Sequence, residues 1–190
     1  MAESPPILRP PAVGAPVRRL PSASRLSLRV KLSGVETLGT VAGLPLDLPI
    51  NRFAPADGWL AARLGPDEWL IIGPPSQADN LNAAITAARV GRNQAIVDVS
   101  QASVAFAVEG PDAANILNTG CPLDLDSRQF CVGSATRTIL GKCEIVLFRL
   151  NEDEFRVECW RSFSEYVHAF LLDAAALNGS ARAKSKELNS

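Results

Sequence analysis

Residues 144–160 read EIVLFRLNEDEFRVECW, and this stretch decides the fold class of the chain. Residues 144–150 are mostly apolar, and the acidic run at residues 151–154 is typical of a turn. Residues 155–160 alternate between two faces, which is the period of a strand. The stretch therefore predicts a β-hairpin. One face of its second strand is apolar and comprises Phe155, Val157 and Cys159, and the other comprises Arg156, Glu158 and Trp160.

The residues that follow the hairpin predict a long amphipathic helix. Ser162 and Glu165 have the spacing of a capping box, in which each side chain bonds an otherwise unpaired amide of the first turn. Asn178 and Gly179 predict the end of the helix, and residues 180–190 predict a frayed tail. The apolar face of this helix comprises Phe163, Tyr166, Val167, Phe170, Leu171, Ala174 and Ala175.

The segment upstream of the hairpin predicts further strands and a helix. Residues 104–108 alternate as a strand, and Pro111 suits the first position of a helix because its missing N–H costs no hydrogen bond there. Gly120 predicts the end of that helix, and the CPLDL segment at residues 121–125 predicts a loop with an apolar anchor. Residues 135–140 predict one more strand.

The N-terminal half shows the same kinds of signal. Residues 26–32 alternate as a strand, and the EWLII segment at residues 68–72 predicts a buried strand. Ser76 and Asp79 predict the start of a helix. Residues 95–99 (AIVDV) predict a further strand. A turn is predicted at Asp57 and Gly58.

The order of these elements predicts an α+β fold, with an antiparallel or mixed sheet that carries helices on one face. The pattern after residue 104 resembles half of a ferredoxin-like arrangement. We expect one domain over residues 26–179, with a division into lobes at about residues 26–94 and 95–179 as one form that it can take.

Residues 1–25 predict an extended, proline-rich arm, because repeated proline fixes φ and removes amide donors. Two interpretations stand: an unattached tail, or an arm that lies along a partner. In the second, basic side chains of the arm pair with an acidic surface; they are Arg9, Arg18, Arg19 and Arg25.

Composition excludes several classes of function. The 190 residues are 47% hydrophobic and 21% charged, as in ordinary globular proteins. A formal net charge of -1 offers no basic field for a nucleic-acid backbone. No apolar run approaches the ~20 residues that cross a bilayer, and the N-terminus lacks the apolar core of a secretory signal. We therefore expect a cytoplasmic protein that binds neither nucleic acid nor membrane.

The residues that carry most enzyme chemistry are few and widely spaced. Cys121, Cys131, Cys143 and Cys159 form no C-x-x-C pair, so we expect four thiols and no metal site. His168, the only histidine, falls inside the last predicted helix, where a surface or partner-contact role is commoner than a catalytic one. Acidic clusters fall in predicted turns. We predict no catalytic and no cofactor-binding residue on this chain.

The tryptophans leave two interpretations open, because an indole can stack on a flavin or pterin but more often belongs to a core or an interface. We favour contact with partner chains, since Trp and Arg are enriched at interfaces. The predicted contact residues are Trp59, Trp69, Cys121, Pro122, Leu123, Asp124, Leu125, Trp160 and Arg161.

Three of these segments together resemble a known family. They are RLGPDEWLI at residues 63–71, VDVSQASVAFAVEGPDAANILNTGCPLDL at 97–125, and RTILGKCEIVLFRLNEDEFRVECWRSFSEYVHAFL at 137–171. The chain resembles the gamma subunits of heterotetrameric sarcosine oxidase over residues 26–172. That family belongs to a superfamily with the folate-binding region of the glycine-cleavage aminomethyltransferase, which implies a related fold.

The resemblance implies a small subunit without an active site of its own, bound to alpha, beta and delta chains. The complex oxidises sarcosine to glycine, forms hydrogen peroxide and passes the one-carbon unit to tetrahydrofolate. The resemblance places FAD, FMN and NAD on the larger chains and zinc on delta, and none on this chain. Two alternatives remain: a stand-alone folate-binding aminomethyltransferase-like protein, and the gamma subunit of a related N-methyl amine oxidase.

Overall fold

The computed structural model describes residues 15–31, 39–88 and 93–188. Besides the α-helices and strands, a short 3-10 helix covers Arg161–Phe163. In chain order the elements are β1 (Val17–Arg19), β2 (Ser24–Val30), β3 (Thr40–Val41), β4 (Leu44–Pro45), β5 (Arg52–Ala56), β6 (Trp59–Gly65), β7 (Glu68–Gly73), α1 (Ala78–Ala88), β8 (Gln94–Asp98), β9 (Ser103–Glu109), α2 (Ala113–Asn118), β10 (Ala135–Leu140), β11 (Cys143–Asn151), β12 (Glu154–Trp160) and α3 (Ser164–Leu188).

The chain divides into two compact units. Among the described residues, the first unit contains Pro21–Ser103 and Gly133–Thr136. The second unit contains residues 15–20, Val104–Val132 and the chain from Arg137 onward. Each unit has its own five-stranded sheet and its own hydrophobic core.

The first unit is built on a sheet with strand order β5-β6-β7-β2-β8. β5, β6, β7, β2 and β8 pair antiparallel with their neighbours. The predicted turn at Asp57 and Gly58 is confirmed: it joins β5 to β6 with φ of 47° and 81°, the left-handed pair that a two-residue hairpin needs. One face packs α1, and its buried apolar residues include Leu26, Leu28, Trp69, Ile71, Leu81 and Ile85.

The second unit is built on a sheet with strand order β1-β9-β12-β11-β10. The predicted hairpin is confirmed, because β11 and β12 pair antiparallel from Ile145↔Cys159 to Asn151↔Glu154. The helices α2 and α3 share its core. That core includes Phe106, Val108, Ile116, Leu117, Ile145, Leu147, Phe155, Val157, Val167 and Leu171. The predicted α+β class with antiparallel sheets is confirmed.

Long-range pairing shifts the predicted boundaries. β1 pairs with β9, with Val17 opposite Val108, so regular structure begins before residue 26. Pro16 does not prevent this three-residue strand, because proline is tolerated next to an edge strand. β8 pairs with β2, with Leu28 opposite Ile96, so residues 94–98 belong to the first unit and not to a second lobe that starts at residue 95.

Helix ends also differ from the prediction. α3 begins at Ser164 because a 3-10 turn occupies Arg161–Phe163, and it continues past Gly179 to Leu188. A glycine inside a helix costs only about 1 kcal/mol relative to alanine, and no proline follows to stop the helix. The predicted frayed tail is therefore wrong as far as Leu188. α2 begins at Ala113, two residues after Pro111.

Candidate subunit-contact surface

Trp69 is a core residue of the first unit. Its side chain is 1% exposed, its Nε1 donates to the Leu46 carbonyl at 3.0 Å, and the Arg63 guanidinium lies 5.1 Å from its ring centroid. The indole is thus buried inside the unit, and its N–H is already hydrogen-bonded there. The prediction that Trp69 contacts a partner is wrong, because strand alternation alone did not indicate which face of β7 is buried.

Trp59 is half-buried at the start of β6. Its ring packs against the core of the first unit and lies over Gly73, where an added Cβ would collide with the indole. Most of its area is therefore used for packing, and it is a weaker candidate for a partner contact than the sequence predicts.

The CPLDL loop is half core and half surface. Cys121 and Leu125 are 5% and 1% exposed in the core of the second unit, so the prediction that these two contact a partner is wrong. Leu123 is half-buried against the same core, whereas Pro122 and Asp124 are exposed. The apolar side chains anchor the loop, as the sequence predicts, and only its polar tip is available to a partner.

Arg149 holds this loop, and the sequence analysis missed it. Its Nη1 donates to the carbonyls of Leu125 and Phe130, both at 2.9 Å, and its Nη2 donates to the Glu152 carbonyl at 2.6 Å. The guanidinium lies 5.0 Å from the Phe155 ring centroid and is 5% exposed. A buried charge is costly unless it is hydrogen-bonded. One arginine within the apolar EIVLFRL strand was the available signal.

Three exposed aromatic side chains lie within seven residues of sequence where β12 ends and α3 begins. Trp160, Phe163 and Tyr166 are 46%, 45% and 39% exposed, although large aromatic residues usually bury most of their area. Arg161, which follows Trp160 in the sequence, is exposed as well. Phe163 and Tyr166 are three residues apart on a helical turn and so face the same way. We call Trp160, Arg161, Phe163 and Tyr166 the aromatic surface.

A hydrogen bond fixes the aromatic surface to the β10–β11 turn. The Tyr166 hydroxyl accepts from the Lys142 amide at 3.2 Å, and its ring lies 6.2 Å from that of Phe170. Ile139, two residues before this turn, is 48% exposed. The Arg137 guanidinium and the Glu144 carboxylate flank the same hairpin end and pair at 3.1 Å. Tyr166 is thus the residue of the aromatic surface that is hydrogen-bonded to the β10–β11 turn.

The side chains that could carry chemistry have structural contacts instead. His168 is half-buried and stacks on Phe106, with ring centroids 5.3 Å apart and planes 15° apart. Asp126 pairs with Arg128 at 2.9 Å, and these hydrogen bonds lower the pKa of Asp126 to about 2. Burial, with a smaller effect from the charge of Glu144, raises the pKa of the Cys143 thiol.

The polar face of β12 holds a buried ion pair. Arg156 and Glu158 are 1% and 3% exposed, and Arg156 Nη2 lies 2.6 Å from Glu158 Oε1. The Arg156 Nε also donates to that oxygen at 2.7 Å. Residues two apart on a strand point to the same face, which places the charges side by side. The pair has a structural role in the strand.

The described residues contain neither a cluster of metal ligands nor a membrane-spanning helix. Among residues 15–31, 39–88 and 93–188, no three His, Cys, Asp or Glu side chains are grouped as metal ligands would be. Within the same ranges, no helix combines the length and the apolar character that a membrane span requires.

Comparison with known proteins decides the family. The family model "Sarcosine oxidase, gamma subunit family" matches residues 37–177. The chain belongs to this family. The sarcosine oxidase subunit gamma of Corynebacterium sp. (strain U-96) is 30% identical over 164 residues, which cover 83% of this chain and 78% of the relative. The subunit gamma of an Arthrobacter species is 31% identical over 143 residues, 75% of this chain and 70% of the relative.

Solved structures agree with this membership. The heterotetrameric sarcosine oxidase of Corynebacterium sp. U-96, in complex with pyrrole 2-carboxylate, matches with a TM-score of 0.73 and 28% identity over 84% of this chain and 83% of that chain. The glycine cleavage system aminomethyltransferase T of Bartonella henselae matches with a TM-score of 0.61 and 16% identity, over 82% of this chain and 45% of that chain. The second match shows a shared fold alone, as the sequence resemblance implies.

Proposed function

We propose that this chain is the non-catalytic gamma subunit of a heterotetrameric sarcosine oxidase, where it acts as a scaffold for alpha, beta and delta chains. Family membership and the match to a heterotetrameric oxidase support the assignment. The complex oxidises sarcosine to glycine, with peroxide and methylenetetrahydrofolate as further products. The partner chains supply FAD, FMN, NAD, zinc and the tetrahydrofolate site.

The aromatic surface is the observation that carries the scaffold role. Interfaces are enriched in aromatic residues and arginine, and a few such residues near the centre provide most of the binding energy. Trp160 and Arg161 combine large area with directed hydrogen bonding, and Trp160 keeps 46% of its area exposed. We propose that Trp160 is the central contact, together with its sequence neighbours Arg161 and Phe163, and that the exposed loop residues Pro122 and Asp124 make a separate contact.

The contacts of the reactive residue types support a role without chemistry. His168 is stacked on Phe106, and the Asp126 carboxylate is hydrogen-bonded by Arg128. A general base needs a proton acceptor directed at a substrate, and each of these side chains is directed at a structural neighbour. We place the complex in the cytoplasm, where thiols such as Cys121 and Cys143 stay reduced.

The test is co-expression of the tagged chain with its partner chains, followed by recovery of the assembled complex. The double variant Trp160→Ala, Phe163→Ala should recover the partners about 30-fold less well, since truncating a hot spot costs about 2 kcal/mol or more. Leu177→Ala is the matched control, because Leu177 is an apolar side chain of the same unit and is 66% exposed. Normal recovery of the double variant would contradict the proposed surface.

A further inference from the structure

Each of the two large sheets has two edge strands. Three of these four edges have a feature that hinders pairing with a strand of another chain. An unguarded edge presents a row of N–H and C=O groups, and proteins protect it with charges, proline or a covering segment. The first example is β5, which contains Pro55 and pairs with a later segment. Ser134 bridges Arg52, and the Phe53 amide donates to the Gly133 carbonyl at 3.0 Å.

The two edges of the second sheet are guarded by charge. β1 carries Arg18, which pairs with Glu109 at 2.8 Å, and a second arginine at position 19. β10 carries Arg137, which pairs with Glu144 at 3.1 Å. A strand added at either edge would have to displace or desolvate these ion pairs, which is costly.

The fourth edge, β8, has no proline, no basic side chain and, among the described residues, no covering strand, and its one charged side chain, Asp98, lies at its end. Its sequence is QAIVD, and among the described residues its one strand neighbour is β2. The Asp98 carboxylate accepts a hydrogen bond from the Ser100 amide at 2.8 Å. Val97 is 56% exposed, one of the two most exposed large apolar side chains among the described residues. β-Branched residues at an open edge favour addition of another strand.

We infer that β8 is the site at which an extended segment of a partner subunit adds to the first sheet. The inference rests on the proposed function and names a second contact of the same subunit. Main-chain groups at a strand edge recognise an extended peptide and no other shape, so the occupant is a strand. A tetramer of four different chains contains one copy of this chain, so the strand comes from another subunit.

The side chains of β8 define the chemistry of that segment. Ile96 packs on the core, and Ala95 and Val97 lie on the opposite face by strand alternation. Cross-strand neighbours on that face stabilise a sheet best when they are apolar or β-branched. The partner segment should therefore be uncharged and apolar at alternate positions.

Amide hydrogen exchange of Ile96 tests the inference, with the full chain measured alone and in the assembled complex. The Val99 amide donates to the Arg25 carbonyl and the Lys31 amide to the Asn93 carbonyl, so by strand alternation the amides of Ala95 and Val97 already face β2, whereas that of Ile96 faces the open edge. We expect exchange to slow by at least about tenfold on assembly, because strand addition engages main-chain amides. Residues of β5 are the internal control and should change little. Unchanged exchange in an assembled complex overturns the inference and leaves the scaffold proposal intact. Equal protection in the isolated chain also overturns it, since the edge is then covered by this chain or by a second copy.

A pair of substitutions separates strand addition from general misfolding. Val97→Lys adds the guard that β8 lacks and should lower recovery of the partner chains about tenfold, whereas Val97→Thr keeps β-branching and should change it less than about twofold. Val97 is solvent-exposed in the isolated chain, so neither substitution should change its far-UV spectrum. Wild-type recovery with Val97→Lys overturns the inference. Failure of the wild-type chain to assemble overturns this inference and the proposed function together.

Discussion

At the scale of single residues, Arg149 makes the sharpest prediction about stability. Its substitution by Met keeps the length of the side chain but leaves the carbonyls of Leu125 and Phe130 without their donor. An unsatisfied buried polar group costs about 1–3 kcal/mol, so we expect the free energy of unfolding to fall by about that amount or more. Urea denaturation of the full chain measures it.

The matched control for this substitution is Arg137→Met. Arg137 makes an exposed ion pair with Glu144, with side chains 41% and 57% exposed, and such pairs contribute about 0–1 kcal/mol. If Arg149→Met lowered the free energy of unfolding no more than Arg137→Met does, the hydrogen bonds of Arg149 would not hold the CPLDL loop in place.

Asp126 makes a prediction about pH. Hydrogen bonds from Arg128 lower the pKa of the Asp126 carboxyl from 3.8 to about 2. Because the pKa is lower in the folded chain, the stabilising effect of the pair is present above the unfolded pKa and is lost as pH falls towards about 2. Carboxyl NMR should give a midpoint near 2 in the wild type and a higher one in Arg128→Gln. A wild-type midpoint near 3.8 would refute the pairing.

The candidate contact residues show what a sequence can indicate at this scale. Trp160 and Arg161 are exposed, as their predicted role requires, and Trp69 is buried instead. Alternation along a strand gives two faces but does not tell which face meets a core when both carry large side chains. Only the fold determines that Trp69 bonds the Leu46 carbonyl.

At the scale of elements, the turn between β10 and β11 supports the aromatic surface. Gly141 has a φ of 59°, and an added Cβ would collide with the Tyr166 hydroxyl. We expect Gly141→Ala to lower the free energy of unfolding by about 1–2 kcal/mol, because both backbone strain and displacement of Tyr166 oppose folding. Thermal unfolding measures the change.

Gly179→Ala makes the same chemical change but should alter the free energy of unfolding in the opposite direction. Gly179 lies inside α3 with open space around its Cα, so alanine should stabilise the helix by about 0.5–1 kcal/mol. Equal effects of the two substitutions would show that the β10–β11 turn does not depend on glycine.

Local elements were predictable and long-range partners were not. The hairpin β11–β12 is recognisable because both strands and their turn lie within eighteen consecutive residues. The pairing of β1 with β9 joins Val17 to Val108, and no local pattern encodes a partner that distant. The same reason explains why β8 was placed in the second lobe, although it pairs with β2.

At the scale of the whole molecule, the chain has well-formed cores but directs its reactive side chains at structural neighbours. Cores with 0% exposed residues such as Leu28 and Phe106 require no partner to exclude water. Among the described residues, the exposed aromatic surface and the β8 edge are two features that intramolecular packing does not explain. The contacts with partner chains that we propose would cover both.

Reconstitution of the oxidase with and without this chain tests the scaffold claim most directly. The partner chains are expressed together, and native mass and sarcosine-dependent oxidase activity are measured. We predict that omission of the chain prevents formation of the tetramer. The oxidase activity should fall by the same factor as the amount of tetramer. Adding back the chain with His168→Ala or with Asp126→Asn should restore as much activity as the wild-type chain does, because on our proposal neither side chain takes part in the chemistry. Normal assembly and turnover without the chain, or loss of activity in an intact tetramer with either variant, would contradict the account.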